Sequence, residues 1–335
     1  MRRSPPDFWE RPGPLPMLLA PLGWAVGAAG RLRRALTKSW RAPVPVLCVG
    51  NLVVGGAGKT PVAMDLAQRL AKRGARPHLL SRGYTASLAG PVRVDPARHG
   101  YREVGDEALL LARVAPTWIA RDRAAGARAA VAAGATMLVL DDGFQNPSLV
   151  QDLKIVVADG LYRFGNGHVM PAGPLREPAA VGLARADAVV VMGEGDSRFA
   201  QLPGGPPVLR AHLLPVSDPS GFKGARVVAF AGIGRPRKFF DSLEGLGATV
   251  VARHAFADHQ PYSTAMLEPI LAEAARLGAP LLTTEKDWVR IPAELGKRIT
   301  PVPVRVSWDN AREVEALLDR LFVFEVARGE PAPAR

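Results

Sequence analysis

The sequence predicts an α/β fold, in which a mostly parallel sheet carries helices on both faces and a second, smaller α/β domain follows. Short apolar runs typical of buried strands alternate with helical patterns, and this alternation indicates parallel strands joined by crossover helices. The first series has predicted strands at 44–49, 77–80, 117–120, 137–140, 153–158 and 187–192. The second has predicted strands at 225–233, 249–256, 279–284 and 301–306, with helices near 236–246 and 263–277.

The chain of 335 residues is long enough for two such domains. Stretches rich in proline and glycine at 201–208 and 214–221 bracket the predicted join. The predicted organisation is therefore a membrane-associating segment, a larger domain, a smaller domain and a disordered tail, with bounds 1–41, 42–218, 219–326 and 327–335.

The composition is that of a globular protein with a strong basic excess. Hydrophobic residues make up 48% of the chain, and the formal net charge is +12. Residues 1–41 carry eight basic and two acidic side chains, so half of the excess lies there. Partners that contain phosphate are indicated: nucleic acid, anionic lipid or a phosphorylated substrate. The single cysteine, Cys48, cannot form an internal disulfide, which favours a reducing compartment.

The N-terminal segment is uncharged between Arg11 and Arg31. Prolines are expected to break its first half, and a helix is predicted after Pro21. A basic stripe, formed by Arg31, Arg34, Lys38 and Arg41, then predicts a helix lying on a membrane surface. The alternative is a helix that simply packs on the protein. A secretory signal is disfavoured by the acidic residues of the leader, and a spanning helix by the prolines.

The segment VVGGAGKT, residues 53–60, joins the first predicted strand to a helix predicted from Pro61. Such turns hold nucleotide phosphates, because successive backbone N–H groups point at the phosphate oxygens. Lys59 would contact the β- and γ-phosphates and the Thr60 hydroxyl would contact Mg²⁺. A P-loop NTPase-like fold is predicted, although the usual pattern has glycine at the first position. The predicted phosphate-binding residues are Val53, Val54, Gly55, Gly56, Ala57, Gly58, Lys59 and Thr60.

A second contact for Mg²⁺ is predicted at Asp141 and Asp142, which end the strand at 137–140. The carboxyl end of a neighbouring strand is where a nucleotide-bound metal needs a protein carboxylate. One aspartate would hold the metal and the other would organise the loop; by itself the pair would fit an ordinary turn. ATP is favoured over GTP, because the lysine of TTEKD at 283–287 is one position late for guanine recognition.

Several segments together resemble one family over nearly the whole chain. They are VGNLVVGGAGKTP (49–61), LSRGY (80–84), VGDEALLLA (104–112), LDDGFQ (140–145), GPLREP (173–178), DHQPYS (258–263) and TTEKD (283–287). Their order and spacing are similar to those of the tetraacyldisaccharide 4′-kinases of lipid A biosynthesis. The family commonly has two histidines before Pro-Tyr, where this chain has His259 followed by Gln260.

The resemblance implies an activity and a location. The implied reaction uses ATP and Mg²⁺ to phosphorylate the 4′-hydroxyl of a tetraacylated glucosamine disaccharide 1-phosphate, giving lipid IVA and ADP. The implied enzyme is a peripheral or monotopic protein at the cytoplasmic face of the bacterial inner membrane. No nucleic-acid partner is expected, since no basic and aromatic stripe lies outside residues 1–41.

The resemblance also implies roles for single residues. Asp106 and His259 match the family's base dyad, and Glu107 is expected to join Thr60 and Asp141 around the metal. Arg176 and Asp142 are assigned to the substrate. Simpler roles remain open: Asp106 as a helix N-cap, and Arg176 as an ion-pair partner of Glu177 or another acid. If Asp106 and His259 belong to different domains, domain closure on nucleotide would be needed for catalysis. Lys286 and Asp287 receive no role.

A different function class is also compatible with the glycine-rich loop. The loop resembles the KGGxGKT variant of membrane-associated dimeric ATPases, which regulate partner proteins. Those proteins carry a lysine where this chain has Val54. A membrane-associated P-loop ATPase switch is therefore the alternative to the kinase.

Overall fold

A computed structural model describes residues 6–201, 203–216 and 221–327. These residues divide into two compact units. The smaller unit spans Leu213–Arg305, and the larger contains the described residues before Leu213 and after Arg305. The predicted α/β fold is confirmed, with a mostly parallel sheet in the larger unit and an apolar N-terminal helix.

The larger sheet is mostly parallel, and an antiparallel strand lies at one edge. Its strands are β1 Val46–Gly50, β2 Pro77–Ser81, β3 Val92–Arg93, β4 Thr117–Ile119, β5 Met137–Asp141, β6 Leu153–Asp159, β7 Ala188–Met192, β8 Val208–Pro215 and, near the C-terminus, β13 Val304–Trp308. Their order is β13-β8-β7-β6-β1-β5-β2-β4-β3, and β3 is antiparallel to β4. The chain leaves the larger unit within β8 and returns to it within β13. β1 therefore lies near the middle of the sheet.

Helices cover both faces of this sheet. The α-helices of the larger unit are α1 Pro14–Leu36, α2 Lys59–Lys72, α3 Tyr101–Val104, α4 Asp106–Leu111, α5 Arg123–Ala132, α6 Ala179–Leu183 and, at the end, α10 Ala311–Ala327. Leu47 and Val49 of β1 belong to a core shared with α2 and α10, whereas Val46 and Cys48 belong to a second core shared with α5 and α6. Alternate residues of one strand thus serve opposite faces, as a sheet buried on both sides requires.

The smaller unit contains a four-stranded parallel sheet. Its strands are β9 Arg226–Ala231, β10 Thr249–Ala255, β11 Leu281–Thr284 and β12 Thr300–Val302, in the order β10-β9-β11-β12. Its helices are α7 Pro236–Gly245, α8 Thr264–Arg276 and α9 Glu285–Trp288. β9 connects to β10 on one side and pairs with β11 on the other, so the order of the strands reverses at β9.

The division of the chain differs from the predicted one at its C-terminal end. Residues 219–326 were predicted to form the smaller domain, but β13 ends in the larger unit and α10 packs there. The reason is the apolar face of α10, because Val314, Leu318 and Leu321 are buried in the core that contains α2. Of the predicted tail, 327–335, all but Ala327 lies outside the described residues.

The N-terminal helix begins earlier and ends earlier than predicted. α1 starts at Pro14, and Pro16 lies in its first turn, where a missing N–H costs nothing. Pro21 is accommodated inside the helix. The predicted basic stripe is wrong at its end, because Lys38 and Arg41 lie beyond Leu36. Arg41 instead donates to Asp152 over 2.8 Å.

One face of α1 packs on the larger unit and the opposite face is exposed. Small residues on the packed face allow close approach, and a Cβ at Gly23 would lie 2.6 Å from the Val169 carbonyl oxygen. The exposed face carries Met17, Leu18 and Trp24, which are 73, 76 and 72% exposed. By length and composition, α1 is the one helix among the described residues that could cross a membrane.

Candidate active site

The glycine-rich loop leaves β1 and ends at the first turn of α2. Gly58 caps the helix with a φ of +87°, a left-handed conformation that glycine adopts without steric cost. The helix therefore begins at Lys59, two residues before the predicted start. Lys59 and Thr60 thus lie at the amino end of a helix, where free N–H groups and the helix dipole favour a phosphate.

The pairing of β1 with β5 brings a carboxylate to this helix. The two strands are parallel and Val49 is in register with Asp141. The Thr60 hydroxyl donates to Oδ2 of Asp141 over 2.9 Å, and both side chains are buried. Two residues separated by 81 positions in the sequence are thus held together, as the predicted metal site requires.

Asp141 is an unusual carboxylate. Burial, followed by the nearby charge of Glu107, raises the pKa of Asp141 to about 7, and Lys59 and Thr60 only partly oppose this shift. Its Oδ1 atom is buried and has no hydrogen-bond partner. A buried oxygen without a partner is costly, and a bound cation would satisfy it.

The residues at this point fit Mg²⁺ better than a softer metal. The donors at this point are the Thr60 hydroxyl and the Asp141 carboxylate, with the charge of Glu107 nearby, and Mg²⁺ prefers oxygen ligands. Among the described residues, no group of three or more His, Cys, Asp or Glu side chains forms a complete metal site. A partial site of this kind suits Mg²⁺ that arrives with nucleotide phosphates, since this ion is usually held by one or two carboxylates.

Asp142 lies between two cations. Its φ of +58° is a left-handed backbone conformation directly after β5. Arg176 forms a two-pronged contact with it, at 2.9 and 3.1 Å, and Nζ of Lys59 lies 3.8 Å from Oδ1. Burial would raise the pKa of Asp142, but Lys59 and Arg176 outweigh this effect and lower it. Arg176 therefore has an acidic partner, which is Asp142 rather than Glu177.

The segment GPLREP is joined to the glycine-rich loop by backbone hydrogen bonds. The amide of Val54 donates to the carbonyl of Pro174, and the amide of Arg176 donates to the carbonyl of Leu52, each over 2.8 Å. Val53 is buried and forms a β-bridge with Leu175. This contact explains why an apolar residue stands where the usual pattern has glycine.

A second acid at the site, Glu177, had no predicted role of its own. It is buried, and Arg185 donates to both of its oxygens at 2.6 and 2.7 Å. Gln145 donates to it over 3.2 Å, and Arg34 of α1 lies 3.3 Å away. Glu177 thus connects the N-terminal helix to the loop that carries Arg176. The only signal in the sequence was an acid beside Arg176, and its partners are distant in the chain.

Asp106 is buried at the first position of α4. Gly105 occupies the N-cap position, so Asp106 is not the cap residue of this helix. One carboxylate oxygen of Asp106 accepts the amide hydrogen of Glu107 over 2.9 Å. This places a carboxylate next to Glu107, whose charge is felt at Asp141.

His259 lies in the smaller unit, in the segment that follows β10. Its φ is +58°, and its amide donates to the carbonyl of Gly232 over 3.2 Å. The Nε2 atom lies 3.3 Å from Nζ of Lys286 and 3.7 Å from a carboxylate oxygen of Asp258. Thr60, Glu107, Asp141, Asp142 and Arg176 are thus all in the larger unit with Asp106, and His259 is in the other unit.

The family described as tetraacyldisaccharide-1-P 4′-kinase, LpxK, matches residues 15–322. The tetraacyldisaccharide 4′-kinase of Rhodospirillum centenum is 55% identical over 322 residues, which cover 93% of this chain and 95% of that protein. The enzyme of the same name from Paramagnetospirillum magneticum is 51% identical over 320 residues, with coverage of 95% and 98%.

A solved structure is also similar to this chain. It is the crystal structure of "apo" form LpxK from Aquifex aeolicus in complex with ATP, which is 28% identical with a TM-score of 0.76. The match covers 92% of this chain and all of that one. The family model and these relatives match nearly the whole chain, and the chain belongs to the tetraacyldisaccharide-1-P 4′-kinase family.

Proposed function

We propose that this enzyme transfers the γ-phosphoryl group of ATP to the 4′-hydroxyl of a tetraacylated glucosamine disaccharide 1-phosphate, giving lipid IVA and ADP. The observation that carries the proposal is the Thr60–Asp141 hydrogen bond beside Lys59, in a chain whose relatives are named for this reaction. The relatives support the kinase and not the alternative, a membrane-associated ATPase switch.

The amino end of α2 and the loop before it bind the triphosphate. Backbone N–H groups of residues 55–60 surround the phosphates, because the Val54 amide already donates to the Pro174 carbonyl. Lys59 neutralises the β- and γ-phosphates. The ammonium of Lys59 lies 3.8 Å from Oδ1 of Asp142, and it is proposed to pair with the phosphates when ATP binds.

Asp106 accepts the proton of the sugar hydroxyl. The hydroxyl oxygen forms a bond to the γ-phosphorus, the bond from phosphorus to the bridging oxygen of ADP breaks, and the proton passes to a carboxylate oxygen of Asp106. Catalysis of this kind depends mainly on positioning and charge neutralisation. His259 is proposed to orient Asp106 or relay its proton. Arg176 and Asp142 are proposed to contact the acceptor as the ion pair that they form with each other.

Thr60, Asp141 and Glu107 would hold Mg²⁺. The ion would neutralise charge on the phosphates of the nucleotide. The buried, partnerless Oδ1 of Asp141 is the observation on this chain that supports the assignment. Thr60 orients Asp141 through its hydroxyl, and Glu107 supplies a second negative charge nearby.

The raised pKa of Asp141 predicts a pH dependence of Mg²⁺ binding. A proton and a cation compete for this carboxylate, so Mg²⁺ affinity should fall by up to about tenfold for each unit of pH below about 7. Titration of the complex with a non-hydrolysable ATP analogue by Mg²⁺, at several pH values, measures this affinity. Asp141→Asn should lose the affinity and its pH dependence together, and a flat profile in the unaltered enzyme would contradict the assignment.

The raised pKa of Asp141 also affects the stability of the metal-free protein, which should decrease as the pH rises. The folded chain keeps a proton on Asp141 that the unfolded chain, with a pKa of about 3.8, has already released. Stability from this group is therefore present at acidic pH and is lost as the pH rises through about 7. Thermal melts without metal should show this loss in the unaltered protein and not in Asp141→Asn.

The reaction itself is tested with purified enzyme, labelled ATP, Mg²⁺ and the tetraacylated disaccharide 1-phosphate. A newly labelled lipid is expected, and an acceptor that lacks the 4′-hydroxyl should remain unlabelled. Release of labelled inorganic phosphate with no labelled lipid would instead support the ATPase switch.

We further propose that α1 attaches the enzyme to the cytoplasmic leaflet of the inner membrane. Its exposed apolar face is large, and Arg31 and Arg33, exposed near its end, suit anionic headgroups. Lipid is also where a tetraacylated acceptor resides, so the helix would bring the site to its substrate.

Exchange of apolar for acidic residues on this face tests the attachment. The double variant Leu18→Glu with Trp24→Glu should weaken binding to vesicles of phosphatidylethanolamine and phosphatidylglycerol by about 10²-fold or more, because each side chain loses roughly 1.5–3 kcal/mol of apolar burial. Vesicle sedimentation measures the affinity. Val323→Glu, at an exposed apolar site on α10, is the matched control and should bind normally. Equal binding by all three proteins would refute the proposal.

A further inference from the structure

A buried ion pair lies next to His259 in the smaller unit. Asp287 is fully buried and Arg290 is 1% exposed, with Nη2 of Arg290 2.6 Å from Oδ1 of Asp287. Removal of two charges from water is costly, and such pairs contribute little net stability. The main effect of this pair is therefore the geometry that it imposes on the surrounding chain. It follows β11, and the order of the strands reverses at the neighbouring β9, a place where parallel sheets commonly bind ligands.

Asp287 joins three separate segments of the chain. Its Oδ1 accepts the amide hydrogen of Gly232, after β9, over 2.8 Å and the hydroxyl of Tyr262 over 2.6 Å. Its Oδ2 accepts the hydroxyl of Thr284, at the end of β11, over 2.6 Å. Burial and the charge of Asp287 raise the pKa of Tyr262, so this hydroxyl keeps its proton and donates.

The same network holds the backbone of His259 on both sides. The carbonyl of Gly232 accepts from the His259 amide and also from Nη2 of Arg290, at 2.9 Å. Nη1 of Arg290 donates to the carbonyl of Gln260 over 3.1 Å. A side chain at position 232 has no room, because a Cβ would lie 2.5 Å from the Tyr262 hydroxyl. His259 keeps its left-handed φ of +58° within this framework.

Lys286 extends the network to the imidazole ring. It precedes Asp287 in α9, and its Nζ lies 3.3 Å from Nε2 of His259 and 3.4 Å from Asp258. An ammonium group only donates hydrogen bonds, so the contact with Lys286 favours the tautomer in which Nε2 accepts and Nδ1 carries the proton. Lys286 therefore sets the tautomer of His259, and the neighbouring Asp287 holds Lys286 in position.

We propose that Asp287, together with Arg290, is a positioning residue that holds His259 in its backbone conformation and, through Lys286, in its tautomer. The proposal rests on the function proposed above, in which His259 acts with Asp106. It gives the segment TTEKD a role: Thr284 and Asp287 build the support, and Lys286 contacts the ring.

Asp287→Asn tests the proposal, because it keeps the shape of the side chain and removes the charge that pairs with Arg290. We expect kcat to fall by about 10- to 100-fold with little change in the KM for ATP, since small misplacements of catalytic groups have effects of this size. Combined with His259→Gln, the variant should cause no further loss, because both changes act through one group. Leu267→Ala, in the core of the same unit, is the control for lost stability. It should lower the melting temperature and leave kcat unchanged, and its effect should add to that of His259→Gln.

A spectroscopic readout separates this proposal from the proposed function. The chain has six histidines, so the ¹⁵N signals of His259 can be identified by their absence in His259→Gln. The unaltered enzyme should show an unprotonated Nε2, and this pattern should be lost in Asp287→Asn and in Lys286→Met. Unchanged signals in both variants would overturn the positioning role. Normal turnover by His259→Gln, with the signals still altered by Asp287→Asn, would overturn the catalytic role of His259 and leave the positioning intact.

Discussion

Lys59→Ala should reduce phosphoryl transfer by about 10³-fold or more. Lys59 begins α2 and is proposed to contact the β- and γ-phosphates, where charge changes most during transfer. ATP binding should weaken less than turnover, because the backbone N–H groups of the loop remain. Single-turnover transfer to the lipid acceptor and equilibrium binding of a nucleotide analogue measure the two effects separately.

Lys72→Ala provides the matched control for this experiment. Lys72 is an exposed lysine at the opposite end of the same helix, so its loss changes the charge of α2 equally. Transfer by this variant should be normal. If Lys59→Ala also retained near-normal transfer, the phosphate loop would have to be reassigned.

The phosphate loop could be predicted because its chemistry is local. The loop is recognised from three features that lie within 20 residues of each other. They are a buried strand, a run of glycines and a helix that opens with Lys59 and Thr60. Asp141 was predictable for a related reason, since the carboxyl ends of parallel strands meet at one edge of a sheet. Parallel pairing of β1 with β5 places it where that rule requires.

The support around the loop could not be predicted, since it depends on contacts between distant segments. Nothing near Glu177 in the sequence indicates Arg34 as a partner. Nothing near Val53 indicates its bridge to Leu175. The same holds for the buried cluster around Asp287, which accepts hydrogen bonds from Gly232, Tyr262 and Thr284.

The errors in the fold have a common cause, which is tertiary packing that overrides a local pattern. The prolines of α1 predicted a break, but a helix packed through Gly23 against the larger unit tolerates Pro21. α10 follows the smaller domain in sequence and packs elsewhere, because its apolar face completes the core beside α2. In both cases the surface on which the helix packs determines the structure, and the residues of that surface are distant in the sequence.

Asp106→Asn should lower kcat by about 10²- to 10⁴-fold and leave ATP affinity nearly unchanged. The substitution keeps the size of the side chain and removes its ability to accept the hydroxyl proton. A fall in kcat of this size is usual when a general base is lost. Asp106 is buried at the first position of α4, beside Glu107, and Gly105 rather than Asp106 is the N-cap residue. The measurement is single-turnover transfer with saturating ATP and lipid acceptor, together with nucleotide binding.

Asp122→Asn and Asp122→Ala separate this chemical role from helix capping. Asp122 also precedes a helix, and its carboxylate accepts the amide hydrogen of Ala125 over 3.0 Å as a true N-cap. Loss of that cap in Asp122→Ala should cost about 1 kcal/mol of stability with no effect on kcat. If Asp106→Asn behaved in the same way, losing stability and keeping kcat, its role would be structural. If Asp106 is the base and His259 its helper, the double variant with His259→Gln should be no slower than Asp106→Asn alone, because groups that act as a unit are not additive.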